Sequence, residues 1–588
     1  MRWSLKELYE SFEDVAFVED LKLLDQMIEE FGKWVNESVK SDNNPAEVIL
    51  RFIRYSEEIT TYISKLSQFA NLTSATDARN EVALDFLNQL NVKSTALTQP
   101  SVVFQTYLKG LDSLNHIIDS SSELKEYAFY LDQIKLRSQY MLSEKEEVAI
   151  SKLTTTGSTA WSNLQNKLSS TLMVEVDLDG EKLSLPLPAV RNFAYSEDIK
   201  KRVAGYLAEM EAYKKIEESS AAALNGIKGE VVTLCELRGY ESALEETLIK
   251  SRMDKETLDA MLTAMRESLP AFRKYLRRKA ELLGHGNGLP FYDMFAPMGE
   301  VNMTYTYPQA MDFIITQFRT FSDKLADFTQ NAYDHAWLDV EPREGKRGGA
   351  FCANLHGIKE SRILSNFSGS FSNMTTLAHE LGHAYHGTTL IDESVLNSRY
   401  PMPIAETASI FCETIVVNAA LKNASKEEQL AILESSISDS TQVIVDIYSR
   451  FLFESALFDQ RKNSVVSVAK LKELMISAQK EAYGDGLDQN LLHSYMWVNK
   501  PHYYSAGLNF YNFPYAFGLL FSKGLYAEYL NRGDEFVEQY DELLNATGKE
   551  LVADVAMRMN VDVRNPDFFR SSLALIEKDI DKFIELSK

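Results

Sequence analysis

The sequence predicts a mainly α-helical fold with one small sheet, and three observations carry that prediction. Apolar residues recur at three- and four-residue spacing along most of the chain, as in FVEDLKLLDQMIEEFGKWV (17–35) and ELLNATGKELVADVAMRM (542–559). Fourteen prolines in 588 residues leave long stretches free of helix breakers. The glycine-rich run REGKRGGAFCANLHGIKESRILSNFSGSFSN (343–373) breaks the rhythm and holds two possible short strands, directly before a histidine-bearing helix pattern.

Taken in order, the first hundred residues read as helices. VEVDLDGEKLSLPLP (174–188) alternates about an Asp-Gly pair and predicts a hairpin. YSEDIKKRVAGYL then starts a new helix, which suggests a division near residue 190. We expect an N-terminal helical lobe over 1–190 and a second domain over 191–588, the latter carrying the chemistry. LLGHGNGLPFYDMFAPMG (282–299) reads as a long connection.

Composition narrows the function classes. Acidic residues number 85 against 61 basic, a net charge of −24. Such a surface disfavours nucleic acid or an anionic membrane as partner. Cys235, Cys352 and Cys412 are far apart and odd in number, so no disulfide framework is expected. Neither a signal-like apolar core at the N-terminus nor a long uninterrupted apolar run is evident, and a soluble cytoplasmic protein is the expectation.

Three of the nine histidines crowd into LAHELGHAYHG (377–387). His379 and His383 lie four residues apart, on one helix face, where two imidazoles can bind one Zn²⁺. Glu380 points beside that face and can take a proton from a water held there. Ser372 or Asn373 is placed to cap the helix and Gly387 to end it. Zinc needs a third protein ligand, and Asp392, Glu393, Glu406 and Glu413 follow downstream. Glu406 suits the role best, because positions 384–405 leave room for a loop and an antiparallel return. Glu413, seven residues on, projects from the same side of a second predicted helix and can orient a ligand histidine.

These residues resemble the zinc metallopeptidases of the thimet oligopeptidase and oligoendopeptidase F family. HELGHAYH and ETASIFCE match its metal pattern, and GKRGGAFC, ILSNFSGSFSNMTTLAHELGHAYH, HYYSAGLNFYNFPYAFG and AAALNGIKGEVVTLCELRGYESALEE (221–246) look like oligoendopeptidase F. The resemblance covers roughly residues 115–580. It implies a two-lobed helical body with a deep channel that admits oligopeptides. It implies one Zn²⁺ per chain on His379, His383 and Glu406, with Glu380 as general base. It makes His386 a site-lining residue beside the ligands. It makes His502 and Tyr504 the donors to the oxyanion, with Tyr511 and Tyr515 as further oxyanion or substrate contacts.

The expected function is therefore cleavage of internal bonds in short peptides. Two rivals remain: a metallo-carboxypeptidase or other end-trimming enzyme of the same family, and a peptide-binding protein without catalysis. Arg343, Lys346 and Arg347 are the cations near the motif that could hold a terminal carboxylate. The strand-like ESRILSNFSGS is expected to offer an edge to which a peptide could add.

Overall fold

The computed structural model describes residues 1–39, 44–299 and 303–588. Helices take up 70% of the chain and the sheets are small, which agrees with the mainly α prediction. The hairpin forms as β1 (Met173–Leu178) and β2 (Glu181–Pro186), with Leu178 opposite Glu181. Asp179 and Gly180 both take positive φ, 54° and 92°, a turn whose twist matches that of the strands.

A second sheet comprises β3 (Leu338–Asp339), β4 (Phe351–Leu355) and β5 (Glu360–Leu364) in the order β3-β5-β4. β3 is parallel to β5, and β4 is antiparallel to it. This corrects the expected peptide-binding edge. The ESRIL segment is the central strand, paired on both sides, because β3 reaches it from before the glycine-rich run. The outer strand near the histidine helix is β4, whose Asn354 carbonyl is taken by Gln68.

Buried apolar side chains gather in three clusters. One fills the N-terminal helices from Leu8 to Ile134 and takes in Leu355 and Leu396. A second runs from Leu172 to Ile227 and is closed by residues between Phe453 and Tyr504. Val190 sits inside it, so packing runs across the expected division near residue 190. The largest cluster extends from Val231 to Phe583 and surrounds the histidine helix.

The N-terminal segment and the Pro45–Thr76 helix brace the second sheet. Val340 N donates to Met1 O at 3.1 Å, and Gln68 Nε2 donates to Asn354 O at 2.9 Å. Buried Arg362 on β5 donates to Ser4 O at 2.6 Å and pairs with Glu7 at 2.9 Å. The stretch Met402–Asn423 is long and apolar enough to cross a membrane, but 67% of its most apolar window is buried in the fold. That surface packs against the histidine helix and the Phe513–Arg532 helix instead.

The large core also encloses ions. Lys279 Nζ donates to Glu434 Oε1 at 2.6 Å and to Met294 O at 3.1 Å, and Tyr275 adds its hydroxyl to the same carboxylate at 2.8 Å. Removing one partner of a buried pair strands the other charge. Lys279→Met is expected to lower unfolding free energy by about 3–5 kcal/mol in urea titrations. Lys279→Met with Glu434→Leu recovers more than half of that loss.

Candidate metal centre

The histidine helix spans Phe371–Thr389. Ser370 is its N-cap, accepting from Asn373 N at 3.2 Å. The expected caps Ser372 and Asn373 are corrected accordingly. Asn373 turns outward, and its Oδ1 accepts from Ser368 N and Ser368 Oγ, both at 2.8 Å. Gly387 lies within the helix and does not end it. A Cβ there would sit 2.3 Å from the Asn354 side chain, and Asn354 Nδ2 donates to His383 O at 3.3 Å. The glycine thus lets β4 fasten directly onto the helix.

Phe371, Met374, Leu377, Ala378, Leu381 and Tyr385 bury the helix in the large core. His379 and His383 stay partly exposed, with ring centroids 4.9 Å apart. Opposite them the chain makes a short turn, Met402–Ala405, breaks at Glu406, and resumes as the glutamate helix, Thr407–Asn423. The single helix expected over 402–421 is therefore interrupted at the residue whose carboxylate turns toward the histidines.

Two glycines make that approach possible. A Cβ on Gly382 would lie 2.5 Å from Ala408 O and 2.6 Å from Ser409 Cα. A Cβ on Gly518 would lie 3.0 Å from Glu406 Cβ. The histidine helix, the glutamate helix and the Phe513–Arg532 helix meet with backbone nearly in contact.

Glu406 Oε2 lies 3.2 Å from His379 Nε2 and 3.4 Å from His383 Nε2. Ligand atoms of all three residues fall within 4.8 Å of one another. Bonds of 2.0–2.1 Å in a tetrahedron place neighbouring ligand atoms about 3.3–3.4 Å apart. The donor set, two imidazole nitrogens and one carboxylate, and its spacing both fit Zn²⁺. Glu413 Oε2 accepts from His379 Nδ1 at 3.1 Å, which turns Nε2 toward Glu406. Ser409 Oγ donates to Glu406 Oε2 at 2.7 Å.

The electrostatics suit a cation. Burial alone would lower the His379 pKa, but the Glu406 and Glu413 carboxylates on either side raise it to about 10. Burial would raise the Glu406 pKa, yet hydrogen bonds from His379 and His383 hold it well below the carboxylate range. Burial pushes the pKa of Asp439, near Glu413, up to about 6. Glu380, 7% exposed, has its pKa raised by burial, against the opposing pull of the two histidines.

His386 is a correction. It is fully buried, stacked on Tyr400 with centroids 4.1 Å apart, and its Nε2 lies 2.9 Å from Thr547 Oγ1. Burial draws its pKa down to about 3. It belongs to the packing beneath the helix, because Tyr400 and Thr547 claim its ring there.

The HYY segment divides. Tyr504 is 1% exposed in the second core cluster, beside Trp497 and Tyr503. Its hydroxyl is enclosed, which corrects its expected role as oxyanion donor. His502 is partly exposed and stacks on Tyr511 at 4.8 Å. Burial, followed by the Arg450 and Lys500 charges, lowers its pKa, so the ring is neutral. Tyr511 and Tyr515 share a hydrogen bond of 3.0 Å between hydroxyls. Burial, that hydrogen bond and the nearby Glu406 charge raise the Tyr515 pKa, so its hydroxyl remains a donor.

The loop that carries Tyr511 and leads into the helix of Tyr515 hangs on residues that sequence reasoning missed. Buried Lys228 donates to Glu454 Oε1 and to Asn509 Oδ1, both at 2.8 Å. Glu454 Oε2 accepts from Phe510 N at 3.1 Å, and Phe510 holds a φ of 51°. Lys228 lies within the 221–246 stretch already singled out, but nothing local marks it as a partner of residue 509. Ser409, three residues after Glu406, carried a weak signal as a potential capping partner.

A model of peptidase family M3 matches residues 192–575, and one described as oligopeptidase F matches residues 111–173. Oligopeptidase PepF of Bacillus subtilis is 24% identical over 99% of this chain and 87% of its own length. The chromosomal oligoendopeptidase F of Lactococcus lactis is 23% identical over 92% of this chain and 91% of its own. A solved structure of a Chlamydophila abortus protein superposes with a TM-score of 0.86, at 22% identity, covering 100% of this chain and 98% of that one. Oligoendopeptidase F from Enterococcus faecium superposes at 0.71, with 17% identity and coverage of 96% and 99%. The two superpositions establish the shared fold.

Gly382→Ala should push the glutamate helix outward at the site. Overpacking of this kind costs about 1–3 kcal/mol in stability. Zinc affinity, titrated against a competing chelator, is expected to fall at least tenfold while far-ultraviolet dichroism stays native. Glu413→Gln is expected to weaken zinc by about 10–100-fold in the same titration.

Proposed function

The chain belongs to peptidase family M3, and from that premise we propose that it is a zinc-dependent oligoendopeptidase. Peptidases of this family are metallopeptidases acting on peptides. One observation carries the finer reading: His379 and His383 Nε2 stand 3.2 and 3.4 Å from one Glu406 oxygen, with Glu380 buried beside them.

Zn²⁺ on this donor set would supply a Lewis acid that acidifies water and polarises the scissile carbonyl. Glu380 accepts the water's proton and delivers it to the leaving amine. Its raised pKa brings its basicity nearer the working pH than an exposed glutamate's would be. Tyr515, assisted by Tyr511, donates to the oxyanion, and neutral His502 supports that pair by stacking. Substrate lies along β4, the outer strand of that sheet.

Cutting within the chain is the better reading than trimming from the end. Arg343 is committed to Asp339 by hydrogen bonds of 2.7 and 2.9 Å, and Lys346 to the same carboxylate at 2.8 Å. Arg347 lies over the Phe351 ring at 5.5 Å. The cations next to the metal motif are thus occupied elsewhere. A peptide-binding protein would have no use for a buried Glu380 beside two histidines.

A peptide blocked at both ends, incubated with and without chelator, tests the class and the metal together. Cleavage that stops with chelator and returns with zinc is expected. Glu380→Gln should retain zinc but lose about 10²–10⁴ in kcat. Unchanged cleavage by this variant would sink the mechanism. Tyr515→Phe should lose about 10²–10³ in kcat, while Tyr504→Phe stays close to wild type.

A further inference from the structure

A cavity of about 440 Å³ opens next to the turn that carries His502. Tyr195, Tyr206, Phe291 and Phe295 contribute aromatic wall, and Lys500 contributes charge. Part of the wall is the π-helical turn Gln442–Asp446, a distortion that recurs at functional sites.

The other cations of this region are committed. Arg202 is buried against Asp293 at 2.6 Å. Arg191 pairs with Glu209 at 3.4 Å. Arg450 pairs with Asp446, which also accepts from Tyr483 at 3.3 Å. Among the described residues Lys500 Nζ makes neither an ion pair nor a hydrogen bond, although it lines the cavity. Burial draws its pKa down to about 8, with Asp446 and Glu209 pulling it up and Arg450 and Arg191 pushing it down.

The amine lies close in the chain to the residues near the candidate metal ligands, and its charge acts on the His502 ring. Lys500 precedes His502 by two residues, His502 stacks on Tyr511, and Tyr511 bonds to Tyr515 beside Glu406.

We infer that the cavity is a binding subsite for the C-terminal carboxylate of the peptide substrate, with Lys500 as its anchor and the aromatic wall taking the last side chain. The inference rests on the peptidase reading. It makes the distance from Lys500 to the metal a ruler for the segment beyond the cut, whereas a blocked peptide is still cleaved but held less tightly.

Paired peptides differing only in a free or amidated C-terminus test it on the zinc-loaded enzyme. The wild type should show a KM at least tenfold lower for the free acid at equal kcat. Lys500→Met should bring the acid-to-amide KM ratio close to one, whatever it does to both peptides in common. Lys500→Arg should keep most of the preference. An acid-to-amide ratio that is the same in wild type and Lys500→Met overturns the proposal, as does inhibition of both peptides alike by short organic acids acting through Lys500. Affinities of the two peptides for the Glu380→Gln protein, read by fluorescence anisotropy, separate the ideas. A preference for the acid there, without cleavage by wild type, supports the subsite and sinks only the peptidase mechanism.

Discussion

The close backbone contact at Gly382 is the constraint on which the rest of the site depends. A side chain there would occupy space held by Ala408 O and Ser409 Cα. Only with that space empty can the glutamate helix lie against the histidine helix so that Glu406 meets both imidazoles. Gly518 grants the same allowance on a third side, against the Glu406 Cβ itself. His379 and His383 are therefore positioned by a helix backbone, and Glu406 by the tight turn between two helical segments packed against it.

That rigidity creates an electrostatic demand. Two imidazoles and the Glu406 and Glu413 carboxylates are held together in a partly desolvated place. Without a cation, His379 keeps a proton far more tightly than a free imidazole would, because two carboxylates face it. A divalent ion answers the same field with more charge. Two of the site's carboxyl groups are meanwhile driven apart: Glu406 toward ionisation by the histidines that donate to it, Glu380 toward protonation by its burial. Opposite shifts in neighbouring carboxylates are what separate a metal ligand from a proton carrier.

Much of this was legible in the chain, for local reasons. The helical class follows from period and scarce prolines, the β1–β2 turn from Asp179-Gly180, and the metal helix from HELGH. Each depends on residues within a turn or two of one another. The errors fell where distant chain decides. His386 shares the periodicity of His379 and His383, but Tyr400 and Thr547 enclose it. Tyr504 neighbours His502 in sequence, yet a core built from residues 172–227 takes it. ESRIL reads as strand-like in sequence, and only the arrival of β3 makes it central. No local pattern encodes such pairings.

The tyrosine loop shows why so large a helical body serves so small a site. A hydroxyl stabilises an oxyanion only if it is already in place when charge develops. The loop reaches that position through Phe510 in a left-handed conformation, a strain of about 1–3 kcal/mol that the surroundings must hold. Lys228 and Glu454 hold it from inside the core, through Asn509 and the Phe510 N–H. Water cannot compete for those bonds, so the clamp is stronger than a surface ion pair of the same length. Desolvating two charges is costly, and sustaining them requires hydrogen bonds to nearly every remaining polar group. The helices carrying Lys228 and Glu454 provide that enclosure, so bulk remote from the candidate metal centre sets how firmly the Asn509–Tyr511 loop is held.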